Sequence, residues 1–462
     1  MKSPLRLFLT IASLAVISTF GLAQPLAPAA TVDAPTDAGA RIAANVVRTR
    51  IAGIDVLACK TGVKEVVTFH GSLPAGDRFA PVGNLAIPTL VGEMLDKGTT
   101  QHDKFAIADE LESVGAGISF DTGGSVVTFS GKCLQKDMPL VISLLAEQLR
   151  TPAFAPEELA KVKQQLAGHF QRALESTDYR AGQSFASTLY PPGHPNYEPP
   201  TEAYLAAIKA ATIDDLKAFH AKYYGPAHLT LVVVGDIDVP SLQAEVGKAF
   251  AGWTGGVALD PVPPLSPTDS AKEKTVFMPD KTSVTVTWGQ TTGLKYTDPD
   301  TLALRVGTAI LGSGFTGRLM ANVRDKEGLT YGIYSSVAND TFTDGDWKIG
   351  ATFAPALLDK GLASAKRQLL AWYKDGVTAD ELERRKTNLV GTFKVGLATT
   401  DGLAGSLLNV VHRGLDVSWL DDYSRLINSL TPEQVNAAIK KHINPDNLVL
   451  IKAGTVPEAK TP

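Results

Sequence analysis

The chain has 462 residues, 44% hydrophobic and 20% charged, with a formal net charge of −4. That length supports two or more domains with real cores, and no Lys/Arg-rich run is present, which excludes nucleic acid as an expected partner. Two cysteines, Cys59 and Cys133, have neither C-x-x-C nor zinc-knuckle spacing, and sequence leaves their pairing open because it does not show whether their β-carbons meet.

In chain order, Lys2 and Arg6 precede "LFLTIASLAVISTFGLA", a short positive region followed by an apolar one and a small-residue stop. This predicts a secretory signal peptide over residues 1–23, cleaved near Ala23, and hence a periplasmic or secreted protein. An uncleaved anchor is the alternative, since the run borders on bilayer-spanning length. No comparable apolar run follows, so no integral membrane segment is expected after cleavage. Residues 24–44, rich in Ala, Pro, Thr and Asp, read as a flexible leader.

A first domain is predicted over 45–257. "DVLACKTGVKEVVTFHGSL" and "GAGISFDTGGSVVTFSGKCL" have β-branched runs around Gly-containing turns, the pattern of β-hairpins. Between them "IPTLVGEMLDKGTT" is an apolar, helical run ending in a Lys97-Gly98-Thr99 turn. "KDMPLVISLLAEQLR" and "EELAKVKQQLAGHFQRAL" have helical periodicity. "TIDDLKAFHAKYYGPAHLTLVVVG" predicts a Thr-capped helix, a Pro turn and a strand ended by Gly. Pro261, Pro263, Pro264 and Pro267 then mark a linker over 258–274.

The second domain, 275–456, repeats the first. Thr431 to Gly454 aligns without a gap on Thr212 to Gly235, and "TADELERRKTNL" echoes "APEELAKVKQQL". Strand pairs followed by helix pairs predict an α+β fold of two homologous domains, each an antiparallel sheet with helices packed on it. Within the second domain, "DPDTLALRVGTAIL" predicts a capped helix with Leu302, Val306 and Ile310 near one face. Gly312-Ser313-Gly314-Phe315-Thr316-Gly317 follows it. This is formally G-x-G-x-x-G, but it lies between helices rather than in a βαβ unit, so a dinucleotide site is rejected. A helix from Phe315 to Lys326, stopped by Gly328, and a strand beginning near Tyr331 come next.

"YPPGHPNYEP", "FHAKYYGPAHLTLVVVGDID" and "RDKEGLTYGIYSS" resemble the pitrilysin/insulinase family of zinc peptidases, over nearly the whole mature chain. In that family H-x-x-E-H places two His on one helix face to hold zinc, with a Glu between them to activate water. Anchored on Met94 to Thr99, the motif falls here on Thr89, Gly92 and Glu93, and the family's distant third ligand falls on Phe170, beside His169. The resemblance therefore implies an inactive-type subunit that binds no zinc, with zinc in a homologous partner. No two of the eight histidines have ligand spacing on a plausible helix.

What the resemblance implies is kept is the opposite face of the catalytic cavity. Arg324 and Tyr331 match a family Arg/Tyr pair. A Tyr hydroxyl there donates to the oxyanion on the scissile carbonyl, and an Arg holds a peptide carbonyl or orients the Tyr. By the same resemblance Gly312, Gly314 and Phe315 belong to a loop lining the peptide-binding cavity. Alone, the pair reads as a helix-end cation and a strand aromatic. The expected function is the non-zinc subunit of a heterodimeric periplasmic peptidase acting on unfolded peptides. The alternative is a catalytically inactive peptide-binding or scaffold protein.

Overall fold

The computed structural model describes residues 41–263, 265 and 271–456. The predicted signal peptide, most of the leader and part of the linker lie outside the described residues. The first half contains strands β1 (Val46–Ile51), β2 (Ile54–Lys60), β3 (Val66–Leu73), β4 (Gly117–Thr122), β5 (Val127–Leu134) and β6 (Thr230–Gly235). Its helices are α1 (Ile87–Met94), α2 (Lys104–Ser113), α3 (Met138–Arg150), α4 (Pro156–Ala173), α5 (Thr177–Leu189), α6 (Thr201–Ala210), α7 (Ile213–Tyr223) and α8 (Val239–Ala249). The second half contains β7 (Lys272–Phe277), β8 (Val284–Thr291), β9 (Thr330–Ala338), β10 (Asp346–Phe353) and β11 (Val449–Gly454). With them run α9 (Thr301–Gly312), α10 (Leu358–Asp375), α11 (Ala379–Gly396), α12 (Thr400–His412), α13 (Trp419–Asn428) and α14 (Pro432–His442).

The sheet orders are β1-β2-β6-β3-β5-β4 and β7-β11-β8-β10-β9. Each is antiparallel except for one parallel pair, β2 with β6 and β7 with β11. Those pairs arise from the repeated unit. Thr212 and Thr431 each close a capping box, with Asp215 and Gln434 respectively, which fixes where α7 and α14 begin. The following strand returns to the middle of its sheet. It ends on a glycine at φ +142 (Gly235) or +140 (Gly454), where a Cβ would meet a neighbouring carbonyl oxygen at 2.1 Å or 2.5 Å. Only glycine satisfies both the dihedral and the space.

Three sequence expectations are corrected. β2 and β3 do not form a hairpin, because β6 lies between them. All six residues of β6 are buried, so it takes a central position with neighbours on both sides; a short Gly turn between two β-branched runs does not reveal an inserted third strand. The second sheet begins at Lys272, inside the predicted linker. The leader's last residues are structured: a 3₁₀ turn, Ile42–Asn45, docks on α13, where the Ile42 and Ala43 amides donate to the Asp421 carboxylate at 2.7 and 3.1 Å. Cys59 and Cys133 are both free and buried, in separate apolar clusters.

The described residues of both halves form one compact unit, because each half lends a helix to the other's sheet. α12 lays Leu403, Ala404, Leu407 and Leu408 on Leu57, Cys59, Val232 and Val234 of β2 and β6. Reciprocally, α5 lays Ala181 and Phe185 on Val449, Ile451 and Ala453 of β11. Polar pairs flank the α12 contact along alternate positions of β3: Thr68 with Thr400 at 2.8 Å, His70 with Asp401 at 2.9 Å and Ser72 with His412 at 2.7 Å.

Candidate functional site

Of the first-half motif positions, Thr89 and Phe170 meet through Tyr204, and Gly92 and Glu93 do not join them. α1 buries Ile87, Leu90, Val91 and Met94 against the sheet. Thr89, on the same helix, donates from Oγ1 to Asp77 Oδ1 (3.1 Å) and accepts from the Tyr204 hydroxyl (2.6 Å). The Tyr204 ring packs on Phe170, centroid to centroid 4.8 Å. At Gly92 a Cβ would lie 2.1 Å from Thr122 Oγ1 on β4, so any side chain there would require the Thr122 hydroxyl to turn away. Glu93 faces solvent.

This set does not fit zinc. A tetrahedral zinc site needs converging imidazole, thiolate or carboxylate donors. Here the positions offer a hydroxyl, no side chain, one outward carboxylate and a hydrocarbon ring. Among the described residues no group of three or more His, Cys, Asp or Glu side chains is placed to hold a metal ion. The pocket is filled instead by an internal polar contact: burial pushes the Asp77 carboxyl up to about 6, opposed by the Thr89 hydrogen bond.

The second-half residues assemble differently. α9 ends at Gly312, where a Cβ would sit 2.4 Å from the Ser335 amide nitrogen of β9. The chain then turns at Gly314 (φ +67). Phe315 belongs to this turn, not to the helix predicted to start with it; helix begins at Arg318 and passes into a π-helix over Met320–Lys326. The Glu327 amide donates to the Asn322 carbonyl at 3.0 Å, the i to i−5 bond of a π-turn. Gly328 (φ +64) ends the segment and β9 follows as the sheet's edge strand.

This path brings three of the sequence-selected side chains together. The Arg324 guanidinium carbon lies 5.0 Å from the Phe315 ring centroid and 5.2 Å from that of Tyr331, within cation–π range of both. Tyr331 is 89% exposed and Phe315 69%. Among the described residues the guanidinium donates no hydrogen bond, and its one ion pair, to Asp325, is 3.9 Å long. Its N–H fork is thus held by two rings yet open to a ligand. Gly312 and Gly314 shape the backbone around this group rather than touching it.

Sequence reasoning missed two features. One is a cavity of about 410 Å³ between the halves, lined by Ser119 and Asp121 of β4, Thr128 of β5, Phe342, and His412 of α12. No motif marks it, since its walls come from distant segments. The other is a pair of α11 side chains, Glu381 and Arg385, bonded to the two ends of the glycine-rich turn; their spacing in an amphipathic helix carries no signal of that contact.

The fold defines a duplicated α+β chain in which, among the described residues, no side-chain group is placed to hold a metal ion. Two family models match it: Insulinase (Peptidase family M16) over residues 60–192 and Peptidase M16 inactive domain over residues 210–389. The chain belongs to peptidase family M16, the insulinase family, as an inactive-type member. A crystal structure of a peptidase M16 inactive domain from Pseudomonas fluorescens superposes with a TM-score of 0.83 at 27% identity, covering 90% of this chain and 99% of that one. An uncharacterized zinc protease of Streptomyces coelicolor is 27% identical over 363 residues, covering 75% of this chain and 76% of that protein. A Helicobacter pylori protein described as the non-peptidase homolog YmxG is 24% identical over 387 residues, covering 82% and 87%.

Proposed function

We propose that the chain is the non-zinc-binding subunit of a heterodimeric peptidase, and that it presents Arg324, Tyr331 and the glycine-rich turn to the zinc site of a homologous partner. One observation carries this: Arg324 is clamped between Phe315 and Tyr331 with its donors free, on an exposed sheet edge, while Thr89, Gly92, Glu93 and Phe170 form no zinc site. The partner's zinc would supply the activated water. Tyr331, with its hydroxyl in solvent, donates to the oxyanion as it forms. Arg324 donates to an adjacent peptide carbonyl, which its planar fork suits. The free edge of β9 can receive an extended peptide as an added strand, so unfolded chains are the substrate class. The signal-like N-terminus supports action in the periplasm or outside the cell. Among the described residues no helix is long and apolar enough to cross a membrane.

The test begins with the purified chain alone, which is expected to hold substoichiometric zinc and to leave an unfolded peptide intact. Co-expression with a homologous subunit carrying H-x-x-E-H is expected to yield a complex that cleaves it. Stoichiometric zinc in the lone chain overturns the proposal. A second reading, an inactive peptide-binding or scaffold protein, is favoured by the description of the Helicobacter relative as a non-peptidase homolog. It predicts a stable complex with no cleavage in either preparation.

A further inference from the structure

The glycine-rich turn that carries Phe315 is gripped at both ends by one face of one helix. At its start, Ser313 ends α9, and the Arg385 Nη2 donates to the Ser313 carbonyl at 2.9 Å. At its finish, Arg318 Nε and Nη2 donate to the two oxygens of Glu381, both at 2.7 Å, and Nη2 also reaches the Gly376 carbonyl at 2.8 Å. Glu381 and Arg385 are four residues apart on α11 and so share a face. Between the two grips lie Gly314 and Gly317, with Phe315 held over Arg324.

Arg385 is unusual in its surroundings. It is 8% exposed, and its other hydrogen bond goes to Asn388 Oδ1 at 3.2 Å. Among the described residues it makes no ion pair. Burial pulls its pKa down with no carboxylate to oppose it. Its neighbour Lys386 is also buried but is paired with Glu383 at 2.7 Å. Buried cations are normally matched by an acid, because an unmatched one loses hydration without return. What Arg385 has instead is the C-terminal end of α9, whose last carbonyls and dipole favour a cation. Arg385 thus holds the carbonyl of the residue that caps α9, one residue before the reversal at Gly314 that leads into Phe315. Glu381 has a second task in the capping box of Thr378, and its carboxyl is held down at about 2, chiefly by Arg318. The start of α11 and the start of the π-helical segment are thus locked to each other.

We propose that Arg385 and Glu381 are positioning residues, which hold the glycine-rich turn by its two ends so that Phe315 closes on Arg324 and fixes the direction of its guanidinium. Phe315 then acts through Arg324 rather than as a surface for substrate. The functional consequence rests on the subunit reading above, but the mechanical claim does not require a partner.

The experiment uses the full chain alone, labelled with ¹⁵N-arginine. The Arg324 Nε–H resonance, assigned by its loss in Arg324→Lys, lies between two ring faces and is expected to be shifted upfield. Phe315→Ala should move it toward the ordinary position. Arg385→Met should move it the same way and raise amide exchange across Gly314–Gly317 roughly tenfold, with β10 unchanged. Arg385→Lys, which keeps a donor for the Ser313 carbonyl, should restore most of the shift. If Arg385→Met does not fold, Glu381→Gln decides, with a smaller movement in the same direction expected. A folded variant at either position that leaves both the resonance and the turn's exchange as in the parent overturns the proposal. Loss of the clamp in these variants, together with a Tyr331→Phe complex of full activity, would instead remove the catalytic reading and leave the positioning intact.

Discussion

Position 89 holds a hydroxyl that donates to a half-buried carboxylate and accepts from a half-buried phenol. That small network has a measurable cost. Asp77 is raised from 3.8 to about 6, chiefly by burial. The folded state therefore disfavours the ionised acid, so this residue's contribution to stability falls as pH rises from about 3.8 to about 6 and stays low above that. Asp77→Asn keeps an acceptor for Thr89 and cannot ionise. It is expected to stabilise the chain by up to about 2–3 kcal/mol near neutral pH, with the gain vanishing near pH 3.8; urea unfolding at the two ends of that window checks it. Equal gains at both ends would place the effect in packing. Of the residues singled out in the sequence, Thr89 and Phe170 both meet Tyr204, and Arg324 lies against the rings of Phe315 and Tyr331. Arg385 was not legible, since a charged residue on an amphipathic helix ordinarily reads as exposed, and only the end of α9 explains its burial.

The helices that join the halves were visible as elements and hidden as contacts. α5 and α12 each have an apolar face, but periodicity states only that a face is buried, not against which sheet. The structure places each on the other half's sheet. Leu407 is 0% exposed within the α12 contact, so Leu407→Ala should cost about 2–5 kcal/mol. Because that cluster ties α12 to β2 and β6, the loss should fall on the junction. Calorimetry is expected to resolve the single transition of the parent into two, one per half. A single transition at the parent temperature would show that the junction contributes little. The neighbouring His412, whose pKa burial draws down to about 4, stays neutral beside Ser72 and Phe342. The repeated unit, by contrast, was fully readable: its capping residues, proline turn and terminal glycine are local signals. The misread β2–β3 pair shows the limit of such signals, since strand adjacency is set by β6, far along the chain.

Over the whole molecule, duplication has produced two halves that share one strand order, β1 being added in the first, and that differ in their surfaces. The first packs Thr89, Tyr204 and Phe170 together beneath α1. The second keeps an open edge strand with a guanidinium held between two rings. α11, whose sequence echoes α4, shows the divergence directly: α4 carries Phe170 at the filled position, while α11 carries the two residues that brace the glycine-rich turn. Whether Tyr331 contributes to a partner's catalysis is decided by steady-state cleavage of an unfolded peptide by the assembled complex, with the parent chain or with Tyr331→Phe and the same zinc-bearing partner. Loss of one oxyanion donor should lower kcat by about 10²-fold with KM little changed, while assembly and zinc content stay the same. An unchanged kcat in the assembled Tyr331→Phe complex would leave Tyr331 without a catalytic role.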